Sequence, residues 1–167
     1  MADKIKIMMI DDEKDLCDFV KLNLEESGEF EVTTVNESSK ALEIFEQVKP
    51  DVVLVDVVMP KVKGTEVIRQ LKRSGKGTKV IIIVASGLGE MVYQKKDNKW
   101  KWMPNTSVVR DRGDVIKEKD PEVASEAYGV DNFVAKPFST ELLVDAIKEA
   151  LDKKRPQEVP DNQSVEL

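Results

Sequence analysis

Short runs of apolar residues recur along this chain without alternating. Residues 4–10, 51–56, 80–85 and 131–135 each carry consecutive apolar side chains, most clearly Val52-Val53-Leu54-Val55 and Val80-Ile81-Ile82-Ile83-Val84. A strand with one wet face alternates polar and apolar residues. Strands apolar at successive positions must be covered on both faces, the state of a parallel sheet sandwiched by helices. The intervening segments carry the helical period. Residues 13–27 place Leu16, Phe19, Val20 and Leu24 on one face and stop at Gly28. Residues 30–35 read as a further strand. Ser38 or Ser39 is placed to cap a helix that buries Ala41, Phe45 and Val48 and ends before Pro50. Residues 64–73 turn Val67, Ile68 and Leu71 inward; 121–128 form a short helix closed by Gly129; 139–152 form the last. Strand and helix alternate throughout, which predicts an α/β fold with a doubly wound, five-stranded parallel sheet.

In such a sheet ligands gather at the carboxyl ends of the strands, and those ends are chemically loaded. The first strand runs into Asp11-Asp12, the third ends at Asp56, the fourth leads into Ser86, and the fifth into Lys136-Pro137-Phe138. An ionised carboxylate beside an apolar strand is costly unless a cation or hydrogen bonds hold it. Three carboxylates at one rim favour a hard divalent cation with oxygen ligands, and the small one is Mg²⁺. Mg²⁺, a hydroxyl and an ammonium could each neutralise one oxygen of a phosphoryl group on Asp56, the electrostatic help that phosphoryl transfer chiefly needs. Singly, each residue has a plainer explanation: Asp11 and Asp12 as helix-starting residues, Ser86 as a loop serine, Lys136 as a surface lysine before a turn proline. All strand ends being reactive by coincidence is the less economical explanation.

This ordered set resembles the receiver domain of two-component response regulators, from about Lys4 to Asp152 with one interruption. The similarity rests on Asp11-Asp12, Asp56, Met59-Pro60, Gly64, Ser86-Gly87 and Lys136-Pro137-Phe138. It implies a flavodoxin-like fold in which Asp56 is the phosphoacceptor. It also implies that Asp12, Asp56 and the Val58 carbonyl ligate Mg²⁺, with Asp11 acting mostly through water. Ser86 and Lys136 would bind phosphoryl oxygens, and Phe133 would be the aromatic that changes rotamer with them. Threonine is commoner than serine at the Ser86 position, and a register shifted by two would put Val84 there. Ser86 is preferred because it directly follows the apolar run. The donor implied is a sensor histidine kinase, a phosphotransfer protein or a small phosphodonor. The output implied is a protein partner bound through the fourth helix, fifth strand and fifth helix, together with the inserted segment. Haloacid-dehalogenase-type phosphatases use similar chemistry, but they need an acid/base aspartate two residues after the nucleophile, where this chain has Val58. A third alternative is an interaction module that is never phosphorylated.

Composition bounds the rest. The chain has 167 residues and a formal net charge of −6, which disfavours nonspecific nucleic-acid binding. There is no histidine, so a phosphoryl group must arrive from another molecule. The single cysteine, Cys17, excludes an internal disulfide and reads as a packing residue. No apolar run approaches membrane-spanning length and no secretory leader opens the chain, so the expectation is a cytoplasmic, single-domain switch without a DNA-binding domain. Between Ser86 and Lys136 lie more residues than the roughly 20 to 25 that a helix, two loops and a strand need. The surplus marks an insertion over about residues 91–120. Its first half reads as a hairpin turning at Asp97-Asn98, with Trp100 and Trp102 on one side; residues 108–119 read as a surface loop or short helix. The receiver portion is expected to span 1–153, and 154–167 to be a disordered acidic tail.

Overall fold

The computed structural model describes residues 3–74, 80–87, 91–96, 99–104, 115–116 and 129–154, with the three stretches between 91 and 116 described by backbone alone. In chain order the elements are β1 (Ile5–Ile10), α1 (Lys14–Glu26), β2 (Phe30–Val35), a 3₁₀ turn (Ser38–Lys40), α2 (Ala41–Val48), β3 (Val52–Val55), α3 (Gly64–Arg73), β4 (Ile81–Gly87), β5 (Met91–Lys96), β6 (Lys99–Pro104), β7 (Val115–Ile116), β8 (Asn132–Lys136) and α4 (Thr140–Lys154). Five of the strands form one parallel sheet in the order β2-β1-β3-β4-β8. The chain starts in the middle, steps out to β2, then returns past β1 to β3. That reversal makes the sheet doubly wound and flavodoxin-like, with its switch point between β1 and β3.

The non-alternating runs are buried as their composition demands. Val52, Val53, Leu54 and Val55 are each 0% exposed, because successive side chains enter opposite cores. One core packs Met8, Ile10, Val53, Val55 and Val84 against Phe45 of α2 and Val67, Ile68 and Leu71 of α3. The other packs Ile7, Met9, Leu54 and Ile83 against Cys17, Val20 and Leu24 of α1 and Leu143 and Ile147 of α4. Each fully buried aliphatic side chain contributes roughly 2 kcal/mol.

Two helix details depart from expectation. Phe19 is 53% exposed, and Cys17 takes the inward position instead. The buried stripe of α1 is Cys17, Val20 and Leu24. Neither Ser38 nor Ser39 caps α2: Ser38 lies in the 3₁₀ turn with its hydroxyl directed at residues 60 and 62 instead. The edge of β2 is closed by α1. Glu25 Oε1 accepts from the Val32 N–H at 2.9 Å, and Lys21 Nζ donates to the Val32 carbonyl at 2.8 Å, occupying groups that an incoming strand would need.

The inserted segment contains the expected hairpin. β5 and β6 pair antiparallel with Lys96 opposite Lys99, which leaves a two-residue connection. Residues 115–116 are not loop or helix but pair with β5 as β7. The expected helix at 121–128 and residues 155–167 lie outside the described residues; Lys154, expected in the tail, ends α4. Among the described residues no helix is long and apolar enough to cross a membrane.

Candidate functional site

The site forms where β1 and β3 end side by side. The Asp56 N–H donates to the Ile10 carbonyl at 2.9 Å, carrying the β1–β3 ladder one step past the strand. Asp11 is 1% exposed and Asp56 5%, whereas Asp12 faces solvent. Carboxylate oxygens of Asp11, Asp12 and Asp56 all lie within 4.8 Å of one another. Neither aspartate caps α1, whose cap position is Glu13 and carries no side-chain cap bond; Asp11 acts one step earlier. Asp11 Oδ1 accepts from the Glu13 N–H at 2.9 Å, turning the chain into α1, while its other oxygen faces the cluster.

Lys136, at the end of β8, reaches this cluster. Its Nζ lies 2.6 Å from Asp11 Oδ2, 2.9 Å from Glu13 Oε1 and 3.4 Å from Asp56 Oδ2. The contacts with Glu13 and Asp56 are hydrogen bonds, and the shortest one pairs the ammonium with the buried Asp11 Oδ2. Glu13 was not expected from the sequence; its only signal is that it follows the acid pair. Burial raises the carboxyl pKa values of Asp11 and Asp56 above the ordinary range, against the lowering influence of Lys136. Burial alone would lower the Lys136 ammonium, but its acidic partners outweigh that and hold it above the usual lysine range. Cys17 sits beneath the cluster with its thiol pushed up to about 12, by burial first and by the Asp11 charge second.

These residues suit a hard cation. Clustered carboxylates outnumber the single ammonium, and the ligand atoms they offer are all oxygen. That set matches Mg²⁺ rather than a metal that prefers nitrogen or sulfur.

The remaining residues surround the acids. Asp56 Oδ1 accepts from the Val58 N–H at 3.1 Å, and Val58 itself is 44% exposed at the rim. Gly64 opens α3 against this loop: its N–H donates to the Val57 carbonyl at 3.0 Å, and a Cβ there would collide with the Asp56 carbonyl oxygen. Val84 pairs with Val55 and is 0% exposed, one row below Asp56 and facing the core. Ser86, two residues further on and paired with Ala135, is the hydroxyl at the rim, next to the Gly87–Lys136 pair. This register supports Ser86 over Val84. Phe133 is 3% exposed and pairs with Val84, so the aromatic expected to change rotamer is buried in this state.

A family profile described as the response regulator receiver domain matches residues 7–97, ending inside the inserted hairpin. The chain is 24% identical over 161 residues to "Response regulator MprA" of Mycobacterium sp. (strain KMS), a match covering 96% of this chain and 56% of that protein. It is 40% identical over 68 residues to "Alkaline phosphatase synthesis transcriptional regulatory protein PhoP" of Bacillus subtilis (strain 168), covering 41% of this chain and 28% of that one. The chain thus spans about half the length of curated relatives such as MprA. Among solved structures, a response regulator receiver domain protein from Clostridium thermocellum superposes with a TM-score of 0.63 at 26% identity, covering 89% of this chain and 95% of that one. Vibrio cholerae chemotaxis protein CheY4 superposes with a TM-score of 0.64 at 20% identity, covering 89% and 99%. With the profile covering more than half of the chain, and its sheet order and acid-lined rim in place, this chain belongs to the response regulator receiver family.

Proposed function

We propose that Asp56 accepts a phosphoryl group and that the chain acts as a signalling switch rather than as an enzyme for a free substrate. The observation that carries this is the sharing of one ammonium, that of Lys136, between buried Asp11 and Asp56 at the end of the sheet. A buried carboxylate held beside a cation is poised as a nucleophile, and the same cation can move onto new negative charge. In the step, an Asp56 carboxylate oxygen bonds to phosphorus. The P–N bond of a phosphohistidine donor, or the P–O bond of an acyl phosphate, breaks, and the leaving nitrogen or carboxylate keeps the electron pair. A histidine kinase or phosphotransfer protein is the proposed natural donor. Lys136 and the Ser86 hydroxyl would each meet one phosphoryl oxygen. Asp12, Asp56 and the Val58 carbonyl would hold Mg²⁺, with Asp11 acting through water. When bound, Mg²⁺ would offset the charge of the carboxylates and of the incoming phosphoryl oxygens.

Output is proposed to run through Phe133. With its ring buried beside Val84, its rotamer is coupled to where β4 holds Ser86. The surface of β8 and α4 is the proposed contact for a downstream protein. Incubation with acetyl phosphate should add one phosphoryl mass to the parent in Mg²⁺ and none after chelation, with Ser86→Ala and Lys136→Ala both slower. Equal incorporation with and without Mg²⁺ would contradict the metal's role, and unchanged rates in both variants would remove theirs.

A further inference from the structure

The loop between Asp56 and α3 contains an unusual turn. Lys61 has φ of 67°, a positive value that a non-glycine side chain adopts only under constraint, and the Val62 N–H donates to the Pro60 carbonyl at 2.9 Å. This is a three-residue γ-turn of the strained kind. A residue from a different connection holds it. Ser38, 6% exposed between β2 and α2, donates its hydroxyl to the Pro60 carbonyl at 3.2 Å and accepts from the Val62 N–H at 3.2 Å. One hydroxyl therefore bridges both ends of the turn.

The same connection touches the site a second time. Asn36 Nδ2 donates to the Asp11 carbonyl at 2.9 Å, behind the first strand end. The segment after β2 thus braces two of the backbone stretches that bear the acids. A hydroxyl at position 38 is not required to start α2, which it does not cap.

We propose that Ser38 is a positioning residue for the acid site: by fixing the Pro60–Val62 turn, it sets the backbone that presents Val58 beside Asp56. This rests on Val58 being a metal ligand through its carbonyl. The geometry supplies the link, since the Val58 N–H is already bonded to Asp56 Oδ1 and Gly64 anchors the loop's far end on the Val57 carbonyl. Three short tethers, at residues 58, 60–62 and 64, leave the loop little freedom. Removing the middle one frees the stretch that carries the ligand.

The test is Mg²⁺ affinity by calorimetry, with the thermal midpoint and the amide exchange of Val58 and Val62 measured without metal, in the full chain and in Ser38→Ala and Ser38→Thr. Loss of a partner bonded directly to a metal ligand weakens binding by about tenfold; Ser38 bonds Pro60 and Val62 rather than Val58 itself, so a measurable drop of up to about that size is expected for Ser38→Ala. Exchange at Val62 should quicken while the thermal midpoint moves little, because the Pro60–Val62 hydrogen bond persists. Ser38→Thr, which keeps the hydroxyl, should recover most of the affinity. A Ser38→Ala protein that binds Mg²⁺ as tightly as a parent with measurable affinity overturns the proposal, as does a loss of folding stability with Mg²⁺ affinity intact. A parent that binds no Mg²⁺ overturns the metal assignment itself, and the proposal with it.

Discussion

At the scale of single residues, the site is under electrostatic tension. Burial raises the folded-state pKa of Asp56 above its ordinary value of 3.8, so the folded chain holds that proton more readily than the unfolded chain does. The associated stability is fully present below the ordinary carboxylate pKa and is lost as pH rises through the raised value. At neutral pH without metal, Asp56→Asn should therefore be more stable than the parent in urea unfolding, and the gap should close at acidic pH. A less stable Asp56→Asn at neutral pH would show that Lys136 more than repays the burial. The acids, the lysine and the serine were legible in the sequence because each directly follows an apolar strand. Glu13, Asn36 and Ser38 were not, since their importance lies in partners distant along the chain or in a salt bridge that no local pattern encodes.

At the scale of elements, the strands of the parallel sheet and α3 followed from hydrophobic period, and the helix exceptions have physical causes. On α1, a stripe built on Cys17 and one built on Phe19 satisfy the helical period almost equally; the helix turns Cys17 into the core with Val20 and Leu24 and leaves Phe19 exposed. Ser38 has the composition of a cap, but tertiary partners claimed its hydroxyl. α3 depends on a close approach. Its first residue, Gly64, would meet the Asp56 carbonyl carbon at 2.7 Å and the Val57 Cα at 2.8 Å if it carried a Cβ. Both are backbone atoms and cannot swing away. Gly64→Ala should cost about 2 kcal/mol and weaken Mg²⁺ binding, because the helix must back away from the loop that flanks Asp56. Chemical denaturation with unchanged stability would mean that the helix start has room to shift.

At the scale of the whole molecule, the order β2-β1-β3-β4-β8 brings residues 11, 56, 86 and 136 to one rim although an insertion separates the last two. The fifth strand of that sheet was legible because β8 keeps its apolar run and ends on the lysine, whereas the order of the strands came from the structure. The internal pairing of the insertion was only half legible: the hairpin had a turn signal, whereas the two residues of β7 carry none. A metal that binds only the folded rim must stabilise the entire domain. At a Mg²⁺ concentration of about 100 times its dissociation constant, unfolding should become harder by about 2.7 kcal/mol, and a chelator should reverse this. An identical thermal midpoint with and without Mg²⁺ would count against the carboxylate cluster as its site. The central claim concerns one atom group, the Asp56 carboxylate. Borohydride reduction after treatment with acetyl phosphate and Mg²⁺ converts an aspartyl phosphate to homoserine, which peptide mass mapping locates. Homoserine at position 56 alone is the expected result; homoserine at position 11 or 12, or at none, would contradict it.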